Sequence, residues 1–236
     1  MKNVLITGGS RGIGKECVRS FANGGYRVFF TYKSSDREAA ELADETGAIA
    51  IKADVSSFED MKRAADIIHS TSSIDIIINN AGISEIKMIQ DISENDWDAM
   101  FDTNIKGMFI TVKCFLDDMI AKKRGRIINM ASIWGEEGGS CEVHYSASKA
   151  AVIGFTKALS RELAPSGITV NCISPGVIDT DMNDHLSADD KKELIYETPV
   201  GRMGTGGDIA SAALFLASEE RSFITGAVIP VNGGFM

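Results

Sequence analysis

What the chain lacks narrows its class first. Only 4 of its 236 residues are proline, and with 44% hydrophobic and 24% charged residues this excludes a disordered segment and fits a globular one. It contains no C-x-x-C pair: Cys17, Cys114, Cys141 and Cys172 are scattered, so a reduced, cytoplasmic setting is expected and no metal site. No apolar run of about 18 or more occurs, and no signal peptide is expected before Lys2-Asn3-Val4-Leu5-Ile6. Positive charge is short too. The net charge of −9 argues against a nucleic-acid surface and against anionic membrane. There is no internal repeat and no linker, so residues 1–236 suit one sizeable domain.

What is present is alternation of strands and helices. Val4-Leu5-Ile6 is short, β-rich and apolar, the pattern of a buried parallel strand. It runs into Thr7-Gly8-Gly9-Ser10-Arg11-Gly12-Ile13-Gly14 and a helical segment to about Asn23. A glycine-rich turn there lets backbone N–H groups approach a pyrophosphate, and the helix end favours the anion. The spacing is T-G-x-x-x-G-x-G rather than G-x-G-x-x-G. Candidate cofactor contacts are Gly8, Ser10, Arg11, Gly12, Ile13 and Gly14.

The second strand is RVFFTY, residues 27–32, and the residues past it should meet an adenosine ribose. A carboxylate there would bind the 2′-hydroxyl, yet none occurs before Asp36. Lys33 and Ser34 instead suit a 2′-phosphate, with Arg11 in reach. This favours NADPH over NADH; the alternative is a solvated lysine. After a helix at 37–45 and a third strand at 49–53, Asp54 either accepts from an adenine amine or caps the helix at 57–70. A fourth strand at 74–78 ends in Asn79-Asn80-Ala81-Gly82, whose residues either face a flat ligand or pin the sheet end.

Residues 97–121 read as one helix interrupted near Thr103-Asn104, and an amide such as Asn104 there bonds backbone or water. Then come a fifth strand at 125–131, a helix at 142–163 and a sixth strand at 169–173. Pro175-Gly176 opens an irregular stretch to about Gly207, read as a substrate lid around 177–206. A helix at 208–217 and a last strand at 227–231 follow. The pattern predicts an α/β fold: a single-domain Rossmann-type doubly wound parallel sheet of about seven strands flanked by helices, with ligands beyond the strand carboxyl ends.

The stretch from Ser132 to Lys149, SIWGEEGGSCEVHYSASK, falls at that edge. On a helix, Tyr145 and Lys149 at i and i+4 share one face. A fixed ammonium favours tyrosinate and lowers a pKa otherwise about 10, so the phenol could hand a proton to a carbonyl oxygen. Ser132 could add a second hydrogen bond to that oxygen. Y-x-x-x-K alone is a weak signal; its weight comes from sharing one sheet edge with the glycine turn, Lys33, Asp54, Asn80 and Pro175-Gly176.

Taken together, T-G-x-x-x-G-x-G at 7–14, N-N-A-G at 79–82, Asn104, Ser132, Y-x-x-x-K at 145–149 and P-G at 175–176 resemble the short-chain dehydrogenase/reductase family over essentially the whole chain. That resemblance implies an NADP-dependent oxidoreductase in which Tyr145 is the general acid or base. Lys149 would lower its pKa and hold the nicotinamide ribose, Ser132 would orient the substrate carbonyl, and Asn104 would position a water relaying protons to Lys149. Val55, Asn80, Ala81, Gly82, Pro175 and Gly176 would meet the cofactor, and Ile178 and Thr180 its carboxamide.

Within the family, TGGSRGIG (7–14), GITVN (167–171), VIDTDM (177–182) and FITGAVIPVNGG (223–234) resemble the 3-oxoacyl-(acyl carrier protein) reductases of fatty acid synthesis. This implies NADPH, a ketone substrate carried on a protein, and a homotetramer pairing the helices at 97–121 and 142–163. It also implies carrier docking at Lys122, Lys123, Arg124 and Arg126, although Pro165-Ser166 stands where a second docking arginine is usual. SIWG (132–135) and GSCEV (139–143) also resemble a reductase of a ketone-bearing lysine modification on bacterial elongation factor P. Glu136, Glu137, Glu142, Asp179, Asp181 and Asp184 are expected to form an acidic lip suiting a cationic substrate end, or else to be solvated. Tyr32-Lys33 speaks against an NAD-dependent alcohol dehydrogenase. A catalytically silent NADP-binding regulator typically lacks the tyrosine or the lysine, and both are present. Cys141 and His144 flank the expected pocket, and no motif gives a partner to His69 or His185.

Overall fold

Seven strands form one all-parallel sheet in a computed structural model that describes residues 1–183 and 186–235, Met182 by its backbone only. Asp184 and His185 lie outside the described residues. The strands are β1 (Asn3–Ile6), β2 (Arg27–Tyr32), β3 (Ile49–Lys52), β4 (Ile76–Asn79), β5 (Gly125–Met130), β6 (Ile168–Pro175) and β7 (Val228–Val231), in the order β3-β2-β1-β4-β5-β6-β7. The helices are α1 (Gly12–Asn23), α2 (Asp36–Thr46), α3 (Phe58–His69), α4 (Glu94–Phe101), α5 (Gly107–Lys122), α6 (Val143–Leu163), α7 (Ala188–Glu197) and α8 (Gly206–Ala217).

The strands read as unbroken apolar runs because both faces are covered. Alternate residues of one strand enter opposite cores. Val4 and Ile6, with Phe30, Ile76 and Ile78, pack against Val18 and Phe21 of α1 and Ile209 of α8. Leu5, Phe29 and Ile77 pack on the other side against Met61 and Ile68 of α3 and Phe115 of α5. A register slip by one residue would exchange every one of these partners; Val4↔Val28 and Val4↔Ile76 fix it on the two sides of β1.

The chain leaves β1 outward to β2 and β3, then returns past β1 to β4. Loops diverge at that reversal and open a crevice beyond the strand carboxyl ends. The doubly wound fold is therefore as expected, with most strand bounds shifted by one or two residues. Three local expectations change. Ser57, and not Asp54, caps α3, its side chain accepting from the Asp60 N–H. The interruption near Asn104 is a π-helical turn, Asp102–Lys106, joining α4 to α5. The stretch after Pro175-Gly176 is not irregular throughout, since it contains α7, started by a capping box between Ser187 and Asp190. No described helix is long and apolar enough to cross a membrane.

Candidate active site

A cleft of about 620 Å³ runs along the carboxyl edge of the sheet. Its first wall is the turn between β1 and α1. Gly8 has φ +64°, and a Cβ there would lie 2.9 Å from the Ala81 Cα. A Cβ on Gly14 would collide with the Gly8 carbonyl oxygen, so only glycine lets the turn close this tightly. Thr7 and Asn80 hold the turn against the end of β4. The Thr7 hydroxyl accepts from the N–H groups of Asn80 and Ala81, each at 3.1 Å. The Asn80 amide donates to the carbonyls of Thr7 and Gly8, each at 3.0 Å. Asn79 donates to Asn129 at 2.8 Å and stays buried. Both asparagines therefore pin the sheet end, and Asn80 also lines the cleft.

The observed groups suit a dinucleotide. Helix α1 starts at Gly12-Ile13-Gly14 with no capping side chain, which leaves its first-turn N–H groups to an anion. Thr180 faces this turn, 3.5 Å from where a Gly12 Cβ would stand. At the β2 end, Lys33 and Ser34 line the rim. Lys33 Nζ pairs with Asp54 Oδ2 at 2.7 Å, an internal contact between two side chains expected to meet ligand. Burial pushes the Asp54 carboxyl up, but hydrogen bonds from Lys33 and Ser56 outweigh it and hold the group below its ordinary value. Val55, Gly82, Pro175, Gly176 and Ile178 complete the lining, so every expected cofactor contact borders this one cleft.

The chemical end lies where β5 delivers Ser132 and α6 presents Tyr145 and Lys149. Helix α6 sits so close to the turn after β5 that a Cβ on Gly135 would stand 2.6 Å from the Lys149 carbonyl carbon. Lys149 Nζ donates to the Met130 carbonyl at 2.8 Å and lies 5.6 Å from the Tyr145 ring centroid. The expectation that this ammonium depresses the phenol is not what the geometry gives. Burial pushes the Tyr145 hydroxyl up to about 12, a hydrogen bond with Ser132 opposes this, and the Glu142 charge adds to it. Burial also lowers Lys149 to about 8. Desolvation dominates both groups.

Asn104 does not line the cleft but braces it from behind. Its Oδ1 accepts from the Ile83 N–H at 2.8 Å, and its Nδ2 donates to the Ile83 carbonyl and to Ser148 Oγ, each at 3.0 Å. Ser148 in turn donates to the Tyr145 carbonyl at 2.7 Å. The π-helical turn thus ties the strand β4 loop to the helix carrying Tyr145. A Cβ on Gly82 would stand 3.2 Å from Asn104 Oδ1 and 3.5 Å from Lys149 Nζ, so both polar groups point to one spot.

Two expected surfaces differ from the sequence reading. Of the acidic lip, only Glu142 and Asp181 border the cleft; Asp179 pairs with Lys191 at 3.4 Å, Glu136 and Glu137 lie off the lining, and Asp184 falls outside the described residues. The basic run sits at the amino end of β5, the opposite edge of the sheet. Lys122 pairs with Asp75 at 2.7 Å and Arg124 with Glu219 at 3.0 Å, while Arg126 is buried and bonds the Ser218 and Gly125 carbonyls. His69 meets Asp118 at 3.0 Å, and His144 is fully buried, facing Glu85 at 3.5 Å and not the cleft. Sequence reasoning gave no role to Thr7, though its position in the motif was a signal, nor to Thr103, Ile83 or Trp134, which line the cleft.

Known proteins resemble this chain along nearly its whole length. The family model described as enoyl-(acyl carrier protein) reductase matches residues 8–236. A 3-oxoacyl-(acyl-carrier-protein) reductase of Staphylococcus aureus is 38% identical over 239 residues, 99% of this chain and 97% of that protein. Proteins of the same description from Chlamydia muridarum and Aquifex aeolicus are 40% and 39% identical, covering 99% and 98% of this chain and 96% and 95% of their own length.

Proposed function

We propose, on the premise that the chain belongs to the short-chain dehydrogenase/reductase family, that it reduces the ketone of a 3-oxoacyl thioester on acyl carrier protein, using NADPH. The observation that carries this reading is the convergence of Ser132, Tyr145 and Lys149 at one end of a cleft whose other end holds the glycine turn and Lys33. Relatives described as 3-oxoacyl-(acyl-carrier-protein) reductases across nearly the whole length support the thioester.

The Gly8–Gly14 turn and the α1 N-terminus would hold the pyrophosphate, Lys33 and Ser34 the 2′-phosphate, and Ile178 and Thr180 the carboxamide. NADPH, when bound, supplies the hydride. Tyr145 supplies the proton: with its hydroxyl pushed up to about 12, the phenol is fully protonated at neutral pH, the state an acid needs in the reducing direction. Ser132 donates a hydrogen bond to the same substrate oxygen as negative charge develops there. Lys149 places a cationic group beside the phenol as it loses its proton. Asn104 fixes the Ile83 backbone and Ser148, and through them the spacing of both walls. Exposed Trp97, Phe109 and Ile120 on α4 and α5 support the homotetramer implied by the family resemblance.

The test follows NADPH oxidation by the purified protein, offered acetoacetyl-acyl carrier protein and, separately, elongation factor P bearing the ketone modification. Rapid turnover of the thioester is expected. No turnover of the thioester, with turnover of the modified protein, overturns the reading.

A further inference from the structure

At the β2 end of the cleft, two side chains expected to meet the nucleotide meet each other. Lys33 Nζ lies 2.7 Å from Asp54 Oδ2, and both residues border the cleft. The partners are unequally held. Asp54 Oδ1 accepts from the Ser56 N–H at 3.0 Å and from the Ser56 hydroxyl at 2.7 Å. The Asp54 N–H donates to Asp60 Oδ2 at 3.1 Å, and the Asp54 carbonyl accepts from the Ser57 N–H at 3.1 Å. Lys33 has a flexible stem, and its side chain is 71% exposed against 24% for Asp54. When a ligand separates the pair, the lysine moves and the carboxylate stays.

The pair sets the terms on which an anion enters. Lys52, near by on β3, is taken up by Asp36 at 2.8 Å and lies off the cleft lining. Arg11 borders the cleft from the glycine turn. Lys33 is thus the ammonium offered at the β2 end. A phosphate obtains it only by breaking a short, charge-assisted contact, which leaves Asp54 Oδ2 to find another donor.

We propose that Asp54 is a built-in competitor for the ribose 2′-phosphate of the nucleotide, holding Lys33 in the free protein and reclaiming it when the nucleotide leaves. This rests on the NADPH part of the reading above. Asp54 keeps the affinity below what Lys33 alone would give. The oxidised nucleotide carries the same phosphate, so its binding is weakened by the same factor. For an ion pair exposed on one side, that factor is about two- to fivefold.

The experiment is calorimetric titration with 2′,5′-ADP, which carries the 2′-phosphate and no nicotinamide. It compares the wild type, Asp54→Asn, Lys33→Ala and the double variant at low salt. Asparagine keeps an oxygen for Ser56 and loses the charge that holds the lysine. Asp54→Asn should tighten 2′,5′-ADP about two- to fivefold with Lys33 present, at least about twice the effect seen in Lys33→Ala. That excess should fade at about 0.5 M salt, where exposed pairs are screened. A second readout needs no ligand: followed by carboxyl-carbon NMR, Asp54 should titrate at higher pH in Lys33→Ala than in the wild type.

Equal tightening in both backgrounds would be plain repulsion between carboxylate and phosphate, and it overturns the competitor. Loosening by Asp54→Asn with Lys33 present overturns it too, because Asp54 would then assist the bound state. An unmoved Asp54 titration does the same. Thioester turnover with NADPH but no coupling of the two residues leaves the reduction reading standing without the competitor. Coupling without turnover leaves the competitor standing and overturns the reduction reading.

Discussion

Lys149→Met tests the electrostatics of the site without relying on turnover. The ammonium is buried, and burial lowers it from an ordinary 10.5 to about 8. At about 1.36 kcal/mol per pKa unit, holding that charge in the folded protein costs about 3 kcal/mol when the group is protonated in both states. The sign follows from proton counts. Between about pH 8 and 10.5 the unfolded lysine binds a proton that the folded one has lost, so stability rises with pH across that window. The penalty is in full force below about pH 8. Moving from about pH 7 to about pH 9.5 should therefore relieve about 2 kcal/mol in the wild type.

Methionine keeps the apolar stem and cannot titrate. Its loss is the charge-assisted hydrogen bond to the Met130 carbonyl, about 2 kcal/mol, so the variant should be the more stable by about 1 kcal/mol at neutral pH. Urea unfolding of both proteins, without nucleotide, at the two pH values measures the difference of differences. The variant's stability relative to the wild type should fall by about 2 kcal/mol at the higher pH. Tyr145 does not interfere, because a phenol raised to about 12 destabilises the fold only above about pH 10. An advantage identical at both pH values would refute the desolvated ammonium.

Tyr145→Phe should lower kcat by about 100- to 10,000-fold, the contribution of a positioned general acid, while NADPH affinity by fluorescence titration stays nearly unchanged; near-wild-type rates would remove the acid role. Lys33→Ala should weaken NADPH far more than NADH in the same titration, and equal losses would mean that no 2′-phosphate is met. Its ion pair with Asp54 is exposed on the lysine side, so unfolding should move by less than about 1 kcal/mol. Asn104→Ala strands the Ile83 N–H and carbonyl behind the cleft and should cost about 2 to 3 kcal/mol in denaturant unfolding; a loss below about 0.5 kcal/mol would contradict the bracing role.

The sheet was legible because its strands are apolar on both faces, a pattern that few other elements share. RVFFTY at β2 has the expected bounds, and the break in the helix after Trp97 could be placed by one polar amide amid apolar residues. Helix α7 was hidden for the opposite reason. Its sequence ADDKKELIYE buries no residue, so no apolar stripe marked it, and the S-x-x-D box at Ser187 was its one local signal. The pairing of Trp134 with Phe235 joins residues from opposite parts of the chain and has no local trace at all.

Charge was less legible than spacing. The basic run before β5 has partners that no local pattern announced, since Asp75 and Glu219, remote in sequence, pair with Lys122 and Arg124. Likewise, i and i+4 correctly placed Tyr145 and Lys149 together on α6, but spacing says nothing of solvation. A shared face would lower the phenol only if the ammonium kept its charge cheaply and lay close. At 5.6 Å from the ring centroid, and itself lowered to about 8, Lys149 is outweighed by the burial of the phenol. The site as folded therefore favours a protonated acid beside a lysine reluctant to charge. A strongly polar, uncharged group entering between them would relieve the desolvation of both, moving the ammonium up and the phenol down toward their ordinary values, which makes the acidity of Tyr145 a property of the occupied cleft.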